Sequence, residues 1–114
     1  MTILVAEDDA LIAELLSEML GAMGHMVCAI EATEAGAVEA ARRHEPDLMI
    51  MDLQLGRGSG VDAIDQVNKT RAIASILVSG DIARARALRP EAILLEKPYT
   101  QKTLASAILW ASAL

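Results

Sequence analysis

At 114 residues the chain suffices for a single domain spanning 1–114, with a real core but no second folded module, so any output is expected to pass through a partner. Its 54% hydrophobic and 23% charged content exclude a disordered chain. A net charge of −6 with no basic run longer than Arg42-Arg43 argues against nucleic-acid binding, and no stretch nears the ~18 apolar residues of a membrane span, so a soluble, cytoplasmic protein without nucleic-acid or membrane partners is expected.

The first apolar run, residues 3–6, leads into Glu7-Asp8-Asp9. A helix follows, with Leu11, Ile12, Leu15, Leu16, Met19, Leu20 and Met23 spaced three and four apart, a stripe expected to face a sheet and to stop at Gly24 as a left-handed cap. A second run, 26–30, contains Cys28, the single cysteine, which is read as a small core residue in a reducing compartment. Thr33 is placed to cap a second helix through Arg43, with Val38 and Ala41 inward, and Pro46 keeps it out of the third run, 48–51.

Asp52 ends that third run, and Leu53-Gln-Leu-Gly-Arg-Gly-Ser-Gly60 follows without a proline, a loop expected to be mobile. Ser59 is placed to cap a third helix with Val61, Ile64 and Val67 inward. The fourth run, 75–78, leads into Ser79-Gly80-Asp81. Residues 81–88 leave room only for a short or frayed helix, since 18 positions separate Ser79 from Lys97. The fifth run, 92–95, leads into Glu96-Lys97-Pro98, and Thr100 is placed to cap a last helix with Leu104, Ile108 and Ala111 on one face and Trp110 beside them.

Three of the five runs lack polar alternation, as strands buried on both faces do, and they alternate with helical segments. This is a βα unit repeated five times: an α/β fold with a parallel sheet, helices on both sides and ligands expected beyond the carboxyl ends of the strands. The polar residues fall at those ends. Two carboxylates ~4 Å apart repel by ~4 kcal/mol at an effective dielectric of ~20, which calls for a hard divalent cation such as Mg²⁺. Asp52, alone at the end of an apolar strand, is a helix cap or loop turn on one reading and a nucleophile toward a phosphoryl group on the other. Transfer of that kind needs positioning and cations on the equatorial oxygens, and Lys97 and a metal would supply them. His25 and His44 are read as loop and helix-end residues, the methionines mostly as core filler, and Arg84, Arg86 and Arg89 as a solvated basic face.

Ile3-Leu-Val-Ala-Glu-Asp-Asp9, Pro46-Asp-Leu-Met-Ile-Met-Asp-Leu53, Leu77-Val-Ser-Gly80 and Glu96-Lys-Pro-Tyr99 together resemble the CheY-like receiver domains of bacterial response regulators over essentially the whole chain. The resemblance implies a flavodoxin-like fold with strand order 2-1-3-4-5, Asp52 as phosphoacceptor, Ser79 as switch hydroxyl and Lys97 as the lysine of the site. It also implies Mg²⁺ or Mn²⁺ held by Asp8 and Asp52, by Glu7 through water and by the backbone carbonyl of Gln54. The donor would be a histidine kinase or histidine phosphotransfer protein. The target would dock on the face formed by the fourth helix, fifth strand and fifth helix, and the chain would be a monomer or weak dimer. Enzymatic activity would be confined to self-catalysed phosphotransfer and slow autodephosphorylation.

The chain departs from the family in carrying Ser79 for the usual threonine and Leu94 where an aromatic swings inward, so the signal is expected to travel by reordering residues 80–94. The short fourth helix, proline-free loop and missing aromatic are similar to the stand-alone alphaproteobacterial receivers called the FATGUY group, with Leu77-Val-Ser-Gly80 replacing Phe-Ala-Thr-Gly. Two other readings compete. An aspartyl-phosphate phosphatase would carry a second Asp where Gln54 stands, and a phosphorylation-independent interaction domain would fit the loss of the aromatic.

Overall fold

The computed structural model describes residues 1–113. Five strands, β1 (Thr2–Ala6), β2 (Met26–Glu31), β3 (Leu48–Asp52), β6 (Ala74–Ser79) and β7 (Ile93–Glu96), form one parallel sheet in the order β2-β1-β3-β6-β7. A separate two-stranded ladder, β4 (Gln54–Leu55) with β5 (Gly58–Ser59), interrupts the series after β3. With that ladder set aside, the order is the expected 2-1-3-4-5. The helices are α1 (Ala10–Ala22), α2 (Glu34–His44), α3 (Gly60–Asn68), α4 (Ile82–Leu88) and α5 (Gln101–Ser112).

Successive strand residues point to opposite faces, and both faces are covered, which is why the strands read as unbroken apolar runs. Ile3, Val5, Ile50, Ile76 and Val78 pack with Leu16 and Leu20 of α1 and Leu104 and Ile108 of α5. Leu4, Ala6, Met49 and Met51 pack on the other side with the small residues Ala37, Ala40 and Ala41 of α2 and with Ala63 and Val67 of α3. A smaller cluster of Leu53, Val61, Leu77 and Ala85 seats α4, and Leu94 leans on it. Among the described residues no helix is long and apolar enough to cross a membrane.

The expected caps are present. Thr33, Ser59 and Thr100 each accept hydrogen bonds from the first turn of the helix they precede, and Gly24 has φ +90° after α1. Replacing Thr33 with Ala would leave the Gly36 amide, now bonded at 3.0 Å, to water, and is expected to cost about 1 kcal/mol in urea denaturation.

Four expectations need correction. The α1 stripe faces the sheet only through Leu16 and Leu20, with Met19 and Met23 partly covered. Leu11 and Leu15 stand out in solvent at 66% and 51% exposure, because the buried line of α1 runs through Ala13, Leu16 and Leu20 and, at ~3.6 residues per turn, leaves them on the opposite side of the helix. Trp110, placed beside the inner face of α5, is 67% exposed. Met26 opens edge strand β2 and is likewise exposed, while Cys28 is only partly buried and sets its thiol 3.5 Å from the Ile3 carbonyl. The segment after Asp52 is not an irregular loop: Gln54 pairs with Ser59 and Leu55 with Gly58, and Gly56 takes the turn at φ +58°.

Candidate functional site

In a sheet of this order the chain leaves β1 and β3 toward opposite faces, and a crevice opens between their carboxyl ends. Glu7 and Asp8 follow β1, Asp52 closes β3, Ser79 closes β6 and Lys97 follows β7. Backbone bonds fix these ends: the Glu7 amide donates to the Glu31 carbonyl at 2.9 Å, Leu53 to Val78 at 2.8 Å and Lys97 to Ser79 at 2.9 Å.

Glu7, Asp52 and Ser79 are the buried polar residues of the described chain. Carboxylate oxygens of Glu7, Asp8 and Asp52 lie within 4.8 Å of one another. Lys97 reaches from the far side, its ammonium 2.6 Å from Glu7 Oε1 and ion-paired with Asp52 Oδ2. The second oxygen of Asp52 accepts from the Gln54 amide at 3.0 Å, and that of Glu7 from the Asp9 amide at 3.3 Å. Asp8 is exposed and accepts from the Gly56 amide at 3.1 Å through Oδ2.

Charge follows from these contacts. Burial raises Glu7 above the ordinary carboxylate range even though Lys97 pulls it down. Burial alone would lower Lys97, but its bonds to Asp52 and Glu7 prevail and push it up to about 12. The bond from the Gly56 amide leads in holding Asp8 below its usual value. Lys97 is therefore a fixed cation. Three carboxylates against one ammonium leave two formal negative charges, and an all-oxygen donor set with that surplus suits a hard divalent ion.

The remaining residues fall outside or beside this group. Asp9, third of the acidic triplet, caps α1 by accepting from Leu11 and Ile12 at 3.0 and 3.1 Å. Ser79 lies at the crevice with its hydroxyl turned on Asp81, donating to that carbonyl at 3.1 Å and accepting from that amide at 2.9 Å. Asp81 in turn caps α4, which has seven residues, as short as the spacing suggested. His25 sits against the amino terminus at 3.1 Å, and His44 ends α2. The expected basic face is partly tied down, since Arg86 donates to the Pro90 and Ala92 carbonyls and Arg89 pairs with Asp65. Sequence reasoning did not single out Glu34, whose carboxylate grips the β4–β5 hairpin, and its partners 25 and 32 residues away leave no local signal.

A family model described as the response regulator receiver domain matches residues 3–109. The chain is 34% identical over 111 residues to the transcriptional regulatory protein PdtaR of Mycobacterium tuberculosis, covering 93% of this chain and 54% of that protein. It is 34% identical over 110 residues to the phyllosphere-induced regulator PhyR of Methylorubrum extorquens, covering 93% and 41%. The chain thus spans about half the length of the curated relatives it matches. Among solved structures, the receiver domain of Erythrobacter litoralis PhyR superposes with a TM-score of 0.90 at 29% identity, covering 99% of this chain and 90% of that one. The anti-anti-sigma factor PhyR of Bartonella quintana superposes at 0.89 and 29% identity, covering 98% and 47%.

Proposed function

The chain belongs to the response regulator receiver domain family, and from that footing we propose that it is a phosphoacceptor receiver whose acceptor is Asp52. The observation that carries the reading is the buried Asp52 carboxylate held by Lys97 beside Glu7 and Asp8. A carboxylate oxygen of Asp52 attacks phosphorus, an aspartyl phosphate forms, and the bond from phosphorus to the donor's histidine nitrogen breaks. The donor histidine belongs to a kinase or phosphotransfer partner.

Asp8 and Asp52 would hold Mg²⁺ or Mn²⁺ directly, Glu7 through water, with the Gln54 carbonyl as a further ligand; the ion would neutralise charge on the transferring group. Lys97 stabilises the same charge from the opposite side, and its buried salt bridges preset its direction. Ser79 would exchange its bond to the Asp81 carbonyl for one to a phosphoryl oxygen. Because Asp81 caps α4, that exchange loosens the start of a seven-residue helix. With Leu94 in place of an aromatic, reordering of residues 80–94 then alters the α4–β7–α5 face for a target protein.

Two other readings are weaker. Position 54, where an aspartyl-phosphate phosphatase would carry its acid/base, is Gln. A decayed, phosphorylation-independent domain would have no reason to keep three carboxylates and a lysine together against their mutual repulsion. Incubation with acetyl phosphate and Mg²⁺ is expected to add one phosphoryl group by intact mass, and chelating the metal is expected to abolish the gain. No gain with metal present would sink the reading, and steady phosphate release from a generic ester would favour the phosphatase.

A further inference from the structure

The hairpin that follows Asp52 is gripped from outside the acidic cluster. Glu34, half-buried in the first turn of α2, accepts from the Ser59 amide through Oε1 at 2.9 Å and from Gln66 Nε2 through Oε2 at 2.7 Å. Both oxygens are committed, one to β5 and one to α3, and bonds to an ionised acceptor are stronger than neutral ones. Gly58 makes the approach possible: a Cβ there would stand 2.7 Å from Glu34 Cβ and 2.9 Å from its Oε1.

On its other side the hairpin is tied to the cluster. The Gly56 amide at the turn donates to Asp8, the Gln54 amide at the base donates to Asp52, and Leu55 is pinned in the core at 1% exposure. The hairpin therefore bridges Glu34 on one flank and two carboxylates of the cluster on the other.

We propose that Glu34 is a positioning residue for the divalent-cation site: it fixes the β4–β5 hairpin so that Asp8 and the Gln54 backbone are presented to the cation together. The inference rests on the phosphoacceptor reading for the identity of that site. Coupling of this kind is reciprocal, so cation binding must tighten the hairpin as much as the hairpin favours the cation.

Calorimetric titration of the whole chain with Mg²⁺ alone, beside its thermal midpoint, tests this. Glu34→Ala is expected to weaken Mg²⁺ binding severalfold, short of the roughly tenfold that loss of a group bonded directly to a ligand costs, because Glu34 acts on the ligands through the hairpin. Gly58→Ala, which displaces Glu34 by contact, is expected to act in the same direction. The exchanged pair Glu34→Gln with Gln66→Glu keeps an acceptor for Ser59 and a bond to position 66, and is expected to restore affinity. A lowered thermal midpoint with unchanged Mg²⁺ affinity in the folded protein would mean a merely structural role and overturn the proposal. In the unsubstituted chain, Mg²⁺ is expected to slow hydrogen exchange at the Gly56 and Ser59 amides. Unchanged exchange there overturns the proposal even where Glu34→Ala does not fold. A wild type that takes a phosphoryl group while Glu34→Ala binds Mg²⁺ normally refutes Glu34 alone; Glu34-dependent Mg²⁺ binding without phosphoryl uptake refutes Asp52 alone.

Discussion

Asp52→Asn is expected to take up no phosphoryl group from acetyl phosphate and Mg²⁺, its intact mass staying at the unmodified value while wild type gains one group. An amide in place of the carboxylate has no anionic oxygen to attack phosphorus. The fold should survive, because an Asn oxygen can still accept from the Gln54 amide and Lys97 keeps its partner Glu7 at 2.6 Å. Stability in urea is expected to stay within about 1 kcal/mol of wild type. Mg²⁺ binding should weaken more than about tenfold, the loss typical of an outer-sphere partner, since the proposed cation site would lose a direct ligand. Equal mass gain in Asp52→Asn would place the acceptor elsewhere, and Glu7 and Asp8 would be next to examine.

The second large effect concerns Lys97. Its ammonium is the counter-ion of two carboxylates whose side chains are 5% and 10% exposed, and removing one partner of a buried pair leaves charge uncompensated. Lys97 keeps 25% of its own side chain in water, which moderates the cost, so Lys97→Ala is expected to lose about 2–3 kcal/mol in urea without metal. An Mg²⁺ ion in the proposed site would supply positive charge to the same carboxylates, so the loss should shrink when Mg²⁺ is present. Phosphoryl uptake should still be slow, because the cation opposite the metal is missing. Its folded pKa of about 12 lies above its ordinary 10.5, so the stabilisation is fully present below that ordinary value and is lost as pH rises through about 12. Removing Lys97 also takes away the contact that pulls the raised Glu7 carboxyl down, so the deficit of Lys97→Ala should shrink as pH falls and Glu7 takes up a proton. A loss of the same size with and without Mg²⁺ would show that these carboxylates are not where the cation acts.

Glu34 shows where reading along the chain stops. Nothing in Glu34-Ala-Gly-Ala singles that glutamate out from other first-turn acids, which are commonly just favourable with the helix dipole. Its role exists only because α2 and α3 lie side by side and bring Ser59 and Gln66 within 2.9 and 2.7 Å. The hairpin escaped for a related reason: arms of two residues are too short to show a period, and glycines at 56, 58 and 60 read as an open loop. Leu11 and Leu15 lie on a stripe that periodicity turned toward the sheet, and Trp110 was placed beside such a stripe; all three are exposed. An apolar stripe wider than the contact does not say how the helix is rotated about its axis, and that rotation buries Ala13, Leu16 and Leu20 in α1 and Ala107, Ile108 and Ala111 in α5 while leaving these three outside.

By itself the sequence determined the five apolar strands, their alternation with helices, the caps at Thr33, Ser59 and Thr100, and the fall of charged residues at strand ends. Each depends on residues within a few positions of one another, where propensity and burial act locally. Only the tertiary structure decided that Glu7, Asp8 and Asp52 share one crevice within 4.8 Å, that Lys97 spans 90 positions to meet Glu7, and that Asp9, already outside the expected ligand set, caps α1. Those are outcomes of strand order and register, and two carboxylates become a site only when the sheet sets their strands side by side.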